Sequence, residues 1–185
     1  MNYKQQMWEA YHYRFGLAGE GQADIIQSEL ERRPGRVLTV GCGFLGEKID
    51  NLAKHCLLLI AVDRSVQVLQ RAAINVIQPN VHLLAADAQQ LPFTSDSFEH
   101  ILALGLFAYI PEPSSVLREL RRICHSGGMV MLTNAVRHPR EPLRVAAASA
   151  GFEILREHEG YCPAASGETK RRYLMALVAR NRKAS

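Results

Sequence analysis

Glycines and carboxylates follow three successive apolar runs of this chain, at spacings that suit a nucleotide-like ligand. Gly41 and Gly43 come directly after the mostly apolar residues 37–40, and a glycine backbone can approach a ligand closely. Asp63 ends the second apolar run, and Asp87 closely follows the third. Carboxylates accept hydrogen bonds, for example from ribose hydroxyls or an adenine amine. This layout is typical of a nucleotide-cofactor cleft at one edge of a sheet.

Apolar strands alternate with helix-compatible segments from residue 36 onward, which predicts an α/β fold with a mostly parallel sheet covered on both faces. The predicted strands are 36–40, 57–62, 81–85, 98–104, 129–133, 152–155 and 173–179. The predicted helices are 24–33, 46–54, 66–77, 115–124 and 143–150. Ser65 and Ser114 are the expected caps of the third and fourth helices, and Gly127-Gly128 is the expected turn after the fourth.

Composition indicates a single domain of ordinary hydrophobicity. The 185 residues are 48% hydrophobic, and no apolar run reaches the length of a membrane span. The four cysteines are scattered, which favours reduced thiols in the cytoplasm over a disulfide framework. No histidine pair has the spacing of metal ligands on a helix, so we expect no metal.

Positive charge is concentrated at the end of the chain. Residues 168–185 contain six Lys/Arg and one Glu, a charge of +5, so the rest of the chain carries −1 of the net +4. A nucleic-acid enzyme needs a basic face beside its cleft. The near-neutral body therefore argues against DNA or RNA as a partner and favours a small molecule.

Several motifs in a fixed order make this chain similar to one family. They are VLTVGCG at 37–43, AVDRS at 61–65, ADAQQLPF at 86–93, SFE at 97–99, YIPEP at 109–113, LRELRRI at 117–123 and SGG at 126–128. Together they resemble class I S-adenosylmethionine-dependent methyltransferases, of the small-molecule type related to the ubiquinone/menaquinone methyltransferases. The resemblance covers roughly residues 36–180.

The resemblance implies a Rossmann-like three-layer sandwich. Its seven-stranded sheet would be mostly parallel, with an antiparallel last strand inserted beside the fifth. Residues 1–185 would form one methyltransferase domain with a cofactor-binding core over 36–180. The N-terminal segment 1–33 would be a helical lid over the site, with packing of its aromatic face on the helices of the sheet as the alternative.

The resemblance also assigns cofactor-binding residues. They are Gly41, Cys42, Gly43, Asp63, Arg64, Asp87, Ala88, Ala103 and Leu104. Asp63 would accept from both ribose hydroxyls and Asp87 from the adenine amine, with the Ala88 amide near the ring. The glycine turn, Ala103 and Leu104 would lie near the methionine part. Cys42 would contribute its backbone and fill the turn, without acting as a nucleophile.

Two positions depart from the family pattern. Thr39 stands where the family has an acid associated with the amino group of the cofactor. Leu45 replaces the expected third glycine, and Gly46 follows one residue later. The second departure implies an altered turn or a shifted helix start.

The implied reaction transfers a methyl group from S-adenosylmethionine to a small acceptor by in-line displacement. Alignment and water exclusion supply most of the acceleration, so the protein needs no obligatory catalytic residue. The candidates for acid–base or acceptor contacts are His138, His12 and Tyr11. The apolar residues 106–109 suit an aromatic or lipid-like acceptor. The acceptor site would be open, or completed by the lid or by a second subunit of a homo-oligomer.

Two other classes of function stay open at this point. An NAD(P)-dependent oxidoreductase would use Gly41, Gly43 and Gly46 as Gly-x-Gly-x-x-Gly with Asp63 as the ribose acid. The chain lacks a Tyr-x-x-x-Lys pair for that chemistry. A non-catalytic protein that binds S-adenosylmethionine and acts on a partner would account for Thr39 and Leu45.

Overall fold

The computed structural model describes residues 22–43, 46–110, 112–135, 140–162 and 171–182. Its strands are β1 (Arg36–Val40), β2 (Leu58–Asp63), β3 (Val81–Ala85), β4 (Phe98–Leu104), β5 (Cys124–Ala135), β6 (Phe152–Cys162) and β7 (Arg171–Asn181). Its helices are α1 (Gln22–Arg32), α2 (Gly46–Ala53), α3 (Val66–Ala73), α4 (Pro113–Ile123) and α5 (Arg140–Ser149). A 3₁₀ helix covers Leu106–Tyr109.

The strands form one sheet in the order β3-β2-β1-β4-β5-β7-β6. Strands β1 to β5 pair in parallel, and β7 runs antiparallel to both β5 and β6. The predicted Rossmann-like sheet, with its antiparallel last strand beside the fifth, is confirmed. The strand order reverses beside β1, which lies between β2 and β4. A ligand crevice forms at such a reversal, outside the carboxyl ends of the strands.

Helices cover both faces of the sheet because side chains alternate along each strand. Val37 of β1 belongs to the core on the face covered by α1, α2 and α3. The next residue, Leu38, belongs to the core on the face covered by α4 and α5. The α4 residues Leu117 and Leu120 have no exposed surface there. Two apolar layers thus sandwich the sheet, as the three-layer prediction requires.

All five helices differ from their predicted bounds by one to four residues at one or both ends, and α3 and α4 show why. Helix α4 begins at Pro113 after the N-cap Glu112, so the prediction that Ser114 caps it is wrong. Proline suits the first turn because its missing N–H has no partner there in any case. Helix α3 is capped by Ser65 as predicted, but it ends at Ala73. The carboxylate of Asp50 on α2 accepts the N–H groups of Ile77 and Gln78, both at 2.8 Å, so those donors bond outside α3.

Strand β5 begins earlier than predicted. Cys124 is its first residue and Gly127-Gly128 lies inside it, where we expected a helix end and a turn. Its register against β4 shifts between Phe98 and His100. A Cβ on Gly128 would lie 2.9 Å from the carbonyl oxygen of Glu99, so the close approach of β4 requires glycine.

The C-terminal strands are longer than predicted, reaching Cys162 and Asn181. The fully buried Asn181 side chain donates hydrogen bonds to the carbonyls of Arg121 (3.0 Å) and Cys124 (2.7 Å). This amide ties the end of β7 to the junction of α4 and β5.

Part of the predicted N-terminal segment 1–33 lies against the sheet. Its residues 22–32 form α1, whose Ile26 and Leu30 are buried. Residues 1–21, including Tyr11 and His12, lie outside the described residues. Among the described helices, none is both long enough and apolar enough to cross a membrane.

Candidate cofactor site

A glycine turn follows β1 at the carboxyl edge of the sheet. Gly41 and Gly43 have φ of 71° and 61°, a left-handed conformation that side chains with a Cβ rarely adopt. The N–H groups of Gly41 and Cys42 both donate to the Val62 carbonyl, at 2.8 and 3.0 Å. A Cβ on Gly41 would lie 2.9 Å from Cδ1 of Leu106. The turn therefore packs against the end of β2 and against the segment after β4.

Asp63 ends β2 beside this turn and is 7% exposed. Its Oδ2 accepts the N–H of Gly43 at 3.1 Å, and its Oδ1 accepts the N–H of Ser65 at 3.0 Å. Each carboxylate oxygen can accept a further hydrogen bond. Within the part of the chain that the structure describes, no Lys or Arg forms an ion pair with Asp63. The carboxylate is thus held by backbone amides and keeps acceptor capacity for two ligand hydroxyls.

Cys42 lies between the two glycines with its side chain buried. Burial, and after it the nearby Asp63, raises the pKa of the thiol to about 12. The thiol is therefore protonated near neutral pH, whereas only the thiolate form is nucleophilic. With the Gly41 and Cys42 amides bonded to Val62 and the Gly43 amide to Asp63, the turn offers a ligand close backbone approach without free N–H donors.

Asp87 lies just past β3, the strand next to β2. The Ala86 N–H donates to the Asp63 carbonyl at 3.1 Å, which links this segment to the end of β2. Asp87 is exposed; its Oδ1 accepts the Gln89 N–H at 2.8 Å, and its carbonyl accepts the Gln90 N–H at 3.0 Å. Ala88 packs against the core. Asp87 and Ala88 thus form a tight turn at the edge where Asp63 lies.

The end of β4 closes the other side of the glycine turn. Ala103 is buried and Leu104 is partly buried. Gly105 follows with φ of 72°, and its N–H donates to Oγ1 of Thr133 on β5 at 2.7 Å. This bond directs the chain into the 3₁₀ helix that carries Leu106. Thr133 was not among the predicted site residues, because only the pairing of β4 with β5 brings it to this turn.

The predicted site residues divide into two groups. The nine predicted cofactor-binding residues all lie at the carboxyl ends of β1 to β4, where Arg64 has an exposed side chain. Thr39 is buried within β1. His138, like His12, Tyr11 and Leu45, falls outside the described residues. No three His, Cys, Asp or Glu side chains of the described chain are grouped as a metal site.

The geometry fits S-adenosylmethionine. A buried carboxylate with open acceptor sites suits ribose hydroxyls, and the two left-handed glycines beside it let the backbone approach a ligand closely. A second acid, Asp87, lies in the turn that follows β3, the strand next to β2.

Comparisons with known proteins agree with this geometry. Residues 38–132 match the family model described as a methyltransferase domain. The chain is 32% identical over 151 residues to a phosphatidylethanolamine N-methyltransferase of Cereibacter sphaeroides, covering 79% of this chain and 73% of that protein. It is 24% identical over 143 residues to a ubiquinone biosynthesis O-methyltransferase of Xanthomonas oryzae, covering 71% of this chain and 55% of that protein.

Solved structures share the fold. An S-adenosylmethionine-dependent methyltransferase of Aquifex aeolicus superposes with a TM-score of 0.69 at 17% identity, covering 93% of each chain. Neither the oxidoreductase nor the non-catalytic alternative is favoured by these matches. The family model and the relative of 32% identity show that this chain belongs to the methyltransferase-domain family, as a class I S-adenosylmethionine-dependent methyltransferase.

Proposed function

We propose that this methyltransferase acts on a small acceptor with an apolar, aromatic or lipid-like part. The observation that carries the proposal is the apolar 3₁₀ helix after β4. Its Leu106 packs against Gly41, with Cδ1 2.9 Å from where a Cβ would lie. Phe107 is buried and Tyr109 is half-exposed beside it. An apolar surface therefore adjoins the turn proposed for the methionine end of the cofactor.

The names of the relatives support the same class of acceptor. One similar protein is named for phosphatidylethanolamine, a lipid, and another for ubiquinone biosynthesis. Both names describe small molecules that combine a polar reacting group with long hydrocarbon. An apolar wall beside the methyl donor suits such molecules better than it suits a charged nucleic-acid backbone.

We assign the cofactor contacts as follows. Asp63 accepts from the ribose hydroxyls, and the turn at Asp87 and Ala88 holds the adenine. The glycine turn, Ala103 and Leu104 surround the methionine part. S-adenosylmethionine, when bound, supplies a methyl group on a sulfonium that needs no further activation.

The residues of the chain then contribute alignment and exclusion of water. The backbone amides of Gly43 and Ser65 fix the Asp63 carboxylate before any ligand arrives, so little reorganisation is needed. The bond from Gly105 to Thr133 fixes the start of the apolar 3₁₀ helix over the same edge. A general base is required only if the acceptor is a weak nucleophile such as a hydroxyl, and His138, His12 and Tyr11 stay the candidates.

Labelled methyl transfer tests the proposal. The purified protein is incubated with methyl-labelled S-adenosylmethionine and, separately, phosphatidylethanolamine micelles, a long-chain hydroquinone, bulk RNA and a denatured protein mixture. We expect label in a lipid-like or aromatic acceptor, and much less label in the reaction of an Asp63→Asn control at the same concentration of S-adenosylmethionine. Label confined to RNA or protein would contradict the proposal. Calorimetry with S-adenosylhomocysteine and NAD confirms which cofactor binds.

The wider organisation is also proposed. We propose that residues 1–185 are one domain and that residues 1–33 include a lid over the acceptor. In the alternative, a second subunit of a homo-oligomer covers the acceptor. Cys42, Cys56 and Cys124 are thiols and not disulfides, which supports a reducing, cytoplasmic location. Removal of residues 1–21 tests the lid, because it should raise the KM for the acceptor while leaving the affinity for S-adenosylhomocysteine unchanged.

A further inference from the structure

The segment between β3 and β4 contains the proposed adenine turn but no helix, since residues 86–97 are all described and none is helical. Helix α4 holds this segment instead. Oε1 of Glu119 accepts the Leu91 N–H at 2.7 Å. Arg122 donates from Nη1 to the Phe93 carbonyl at 2.8 Å and from Nη2 to the Leu91 carbonyl at 3.2 Å. One acid and one guanidinium thus hold three backbone groups about 30 residues away in sequence.

Glu119 and Arg122 are also bound to each other. Nε of Arg122 donates to Oε2 of Glu119 at 2.8 Å, and Nη2 donates to Oε1 at 2.7 Å. The Glu119 side chain is only 13% exposed, and that of Arg122 is 38% exposed. The Arg122 guanidinium holds the pKa of Glu119 below its usual range. Such bidentate pairs have a defined geometry, so the pair presents its remaining donors and acceptors in fixed directions.

The pair acts on residues immediately after the Asp87 turn. Gln90, whose N–H closes that turn on the Asp87 carbonyl, directly precedes Leu91. Leu91 is buried in the same core as Leu117 and Leu120 of α4. The position of Leu91 therefore sets where the turn ends, and the turn places the Asp87 carboxylate.

We propose that Glu119 and Arg122 are positioning residues that hold the Asp87 turn in the conformation that recognises the adenine amine. The proposal rests on the assignment of Asp87 given above. Glu119 bonds to the backbone of Leu91, and Arg122 bonds to the backbone of Leu91 and Phe93, so they act on the base through the Asp87 turn. They affect how strongly the site prefers an amino group at the six-position of the base. This effect is separate from any contribution to the stability of the fold.

The test compares two ligands that differ at that position. S-adenosylhomocysteine has an amino group that donates to Asp87, whereas S-inosylhomocysteine has a carbonyl that cannot. Calorimetry should show that the parent protein prefers the adenosyl ligand by about tenfold, because the inosyl carbonyl offers no donor and is also repelled by the Asp87 carboxylate. In Arg122→Met, which removes both carbonyl contacts, the preference should fall to about two- or threefold.

Matched variants separate positioning from stability. Arg122→Lys restores one donor and should recover part of the preference for the adenosyl ligand. Glu119→Gln should lower that preference. If Arg122→Met does not fold, these two variants still test the proposal. Glu99→Gln breaks a similar bidentate pair with Arg36 at the amino end of β4 and should keep the full preference. Circular dichroism establishes that each variant is folded before titration.

The outcomes distinguish the two assignments. If the parent prefers the adenosyl ligand and the folded Arg122 and Glu119 variants keep the same preference, the positioning role is wrong and the Asp87 assignment stands. If the parent binds both ligands equally, the Asp87 assignment fails and the positioning role fails with it. A reduced preference in the Arg122 and Glu119 variants, with Glu99→Gln unchanged, supports the proposal.

Discussion

Asp63 and Glu99 are carboxylates at opposite ends of the parallel strands, and they are held by different means. Asp63, at the carboxyl end of β2, is bonded to the backbone amides of Gly43 and Ser65. Glu99, near the amino end of β4, receives the guanidinium of Arg36 at 2.7 and 3.2 Å and the Arg36 N–H at 2.7 Å. The hydrogen bond from the Arg36 side chain is the main reason that the pKa of Glu99 falls to about 2.

The difference predicts that the two ends of the sheet serve separately in ligand binding and in stability. An acid that already pairs with a guanidinium offers little to a ligand, whereas an acid held by two amides keeps acceptor sites open. The glycines near these two acids also lie at opposite ends of the sheet. Gly41 has a left-handed φ and packs closely on Leu106 at the carboxyl edge, whereas Gly35 packs closely on Glu99 at the amino end, where a Cβ would lie 2.8 Å from that of Glu99. Substitutions at the two ends should therefore have separable effects.

The largest effect should follow Asp63→Asn. Loss of a charged acceptor for ribose hydroxyls should weaken S-adenosylhomocysteine binding by about 10- to 150-fold, or roughly 1.5–3 kcal/mol. Asp87→Asn is the matched variant, and its loss should be under about tenfold because Asp87 is exposed and water can serve the adenine amine. Calorimetry on protein shown to be folded measures both. An Asp63→Asn protein with the affinity of the parent would show that the ribose assignment is wrong.

The next largest effect should follow Gly41→Ala. Forcing alanine to a φ of 71° should cost roughly 1–2 kcal/mol of stability, and the new methyl group must displace Leu106. We expect lower stability together with lower affinity for S-adenosylhomocysteine. Gly35→Ala should lower stability alone, because it disturbs only the end of the sheet where Glu99 lies. Urea unfolding and calorimetry report the two quantities, and equal affinity losses in both variants would contradict the separation.

Glu99→Gln should destabilise the protein by about 1 kcal/mol at neutral pH and leave cofactor affinity unchanged. The folded-state pKa of Glu99 is lowered to about 2 from an ordinary value of 4.5. Its contribution is therefore fully present above the ordinary value and is lost as the pH falls toward 2. The difference in unfolding free energy between parent and Glu99→Gln should stay constant above about pH 5.5 and narrow in acid.

A control for Glu99→Gln is available on the surface. Glu157→Gln breaks an ion pair with Arg144 whose side chains are 44% and 51% exposed, so the stability change should be close to zero. If Glu99→Gln and Glu157→Gln change the free energy of unfolding equally, the Arg36–Glu99 pair stabilises the protein no more than an exposed ion pair does.

The smallest effect should follow Cys42→Ala, although Cys42 adjoins Asp63. The thiol is buried and its pKa is raised to about 12, so it supplies neither a nucleophile nor a charge. Affinity for S-adenosylhomocysteine should stay within about threefold of the parent. Cys42 in the parent should also resist iodoacetamide at pH 7.5, as measured by peptide mass. A tenfold loss of affinity would show that the thiol takes part in binding.

Much of this fold and the location of the site could be predicted from short-range patterns. The period of apolar residues identified the alternation of strands and helices, and Ser65 was correctly assigned as a cap. Gly41, Gly43 and Asp63 were predicted as site residues because backbone conformation and ligand contact restrict the types of residue at strand ends, and the structure brings them to one edge of the sheet. Boundaries were predicted less well. The end of α3 depends on Asp50 of α2, which is 27 residues from Ile77 in sequence.

The sequence by itself therefore determined the class of fold and the edge of the sheet where Gly41, Gly43 and Asp63 lie, which we propose as the cofactor site. Tertiary structure alone decided which groups are bonded there. The strand order places β4 beside β1 and β5, and this brings Thr133 to Gly105 and Leu106 to Gly41. It likewise brings Glu119 and Arg122 to the segment after Asp87. Local periodicity contains no information about such pairs, because their hydrogen bonds form only after distant elements have packed into one core.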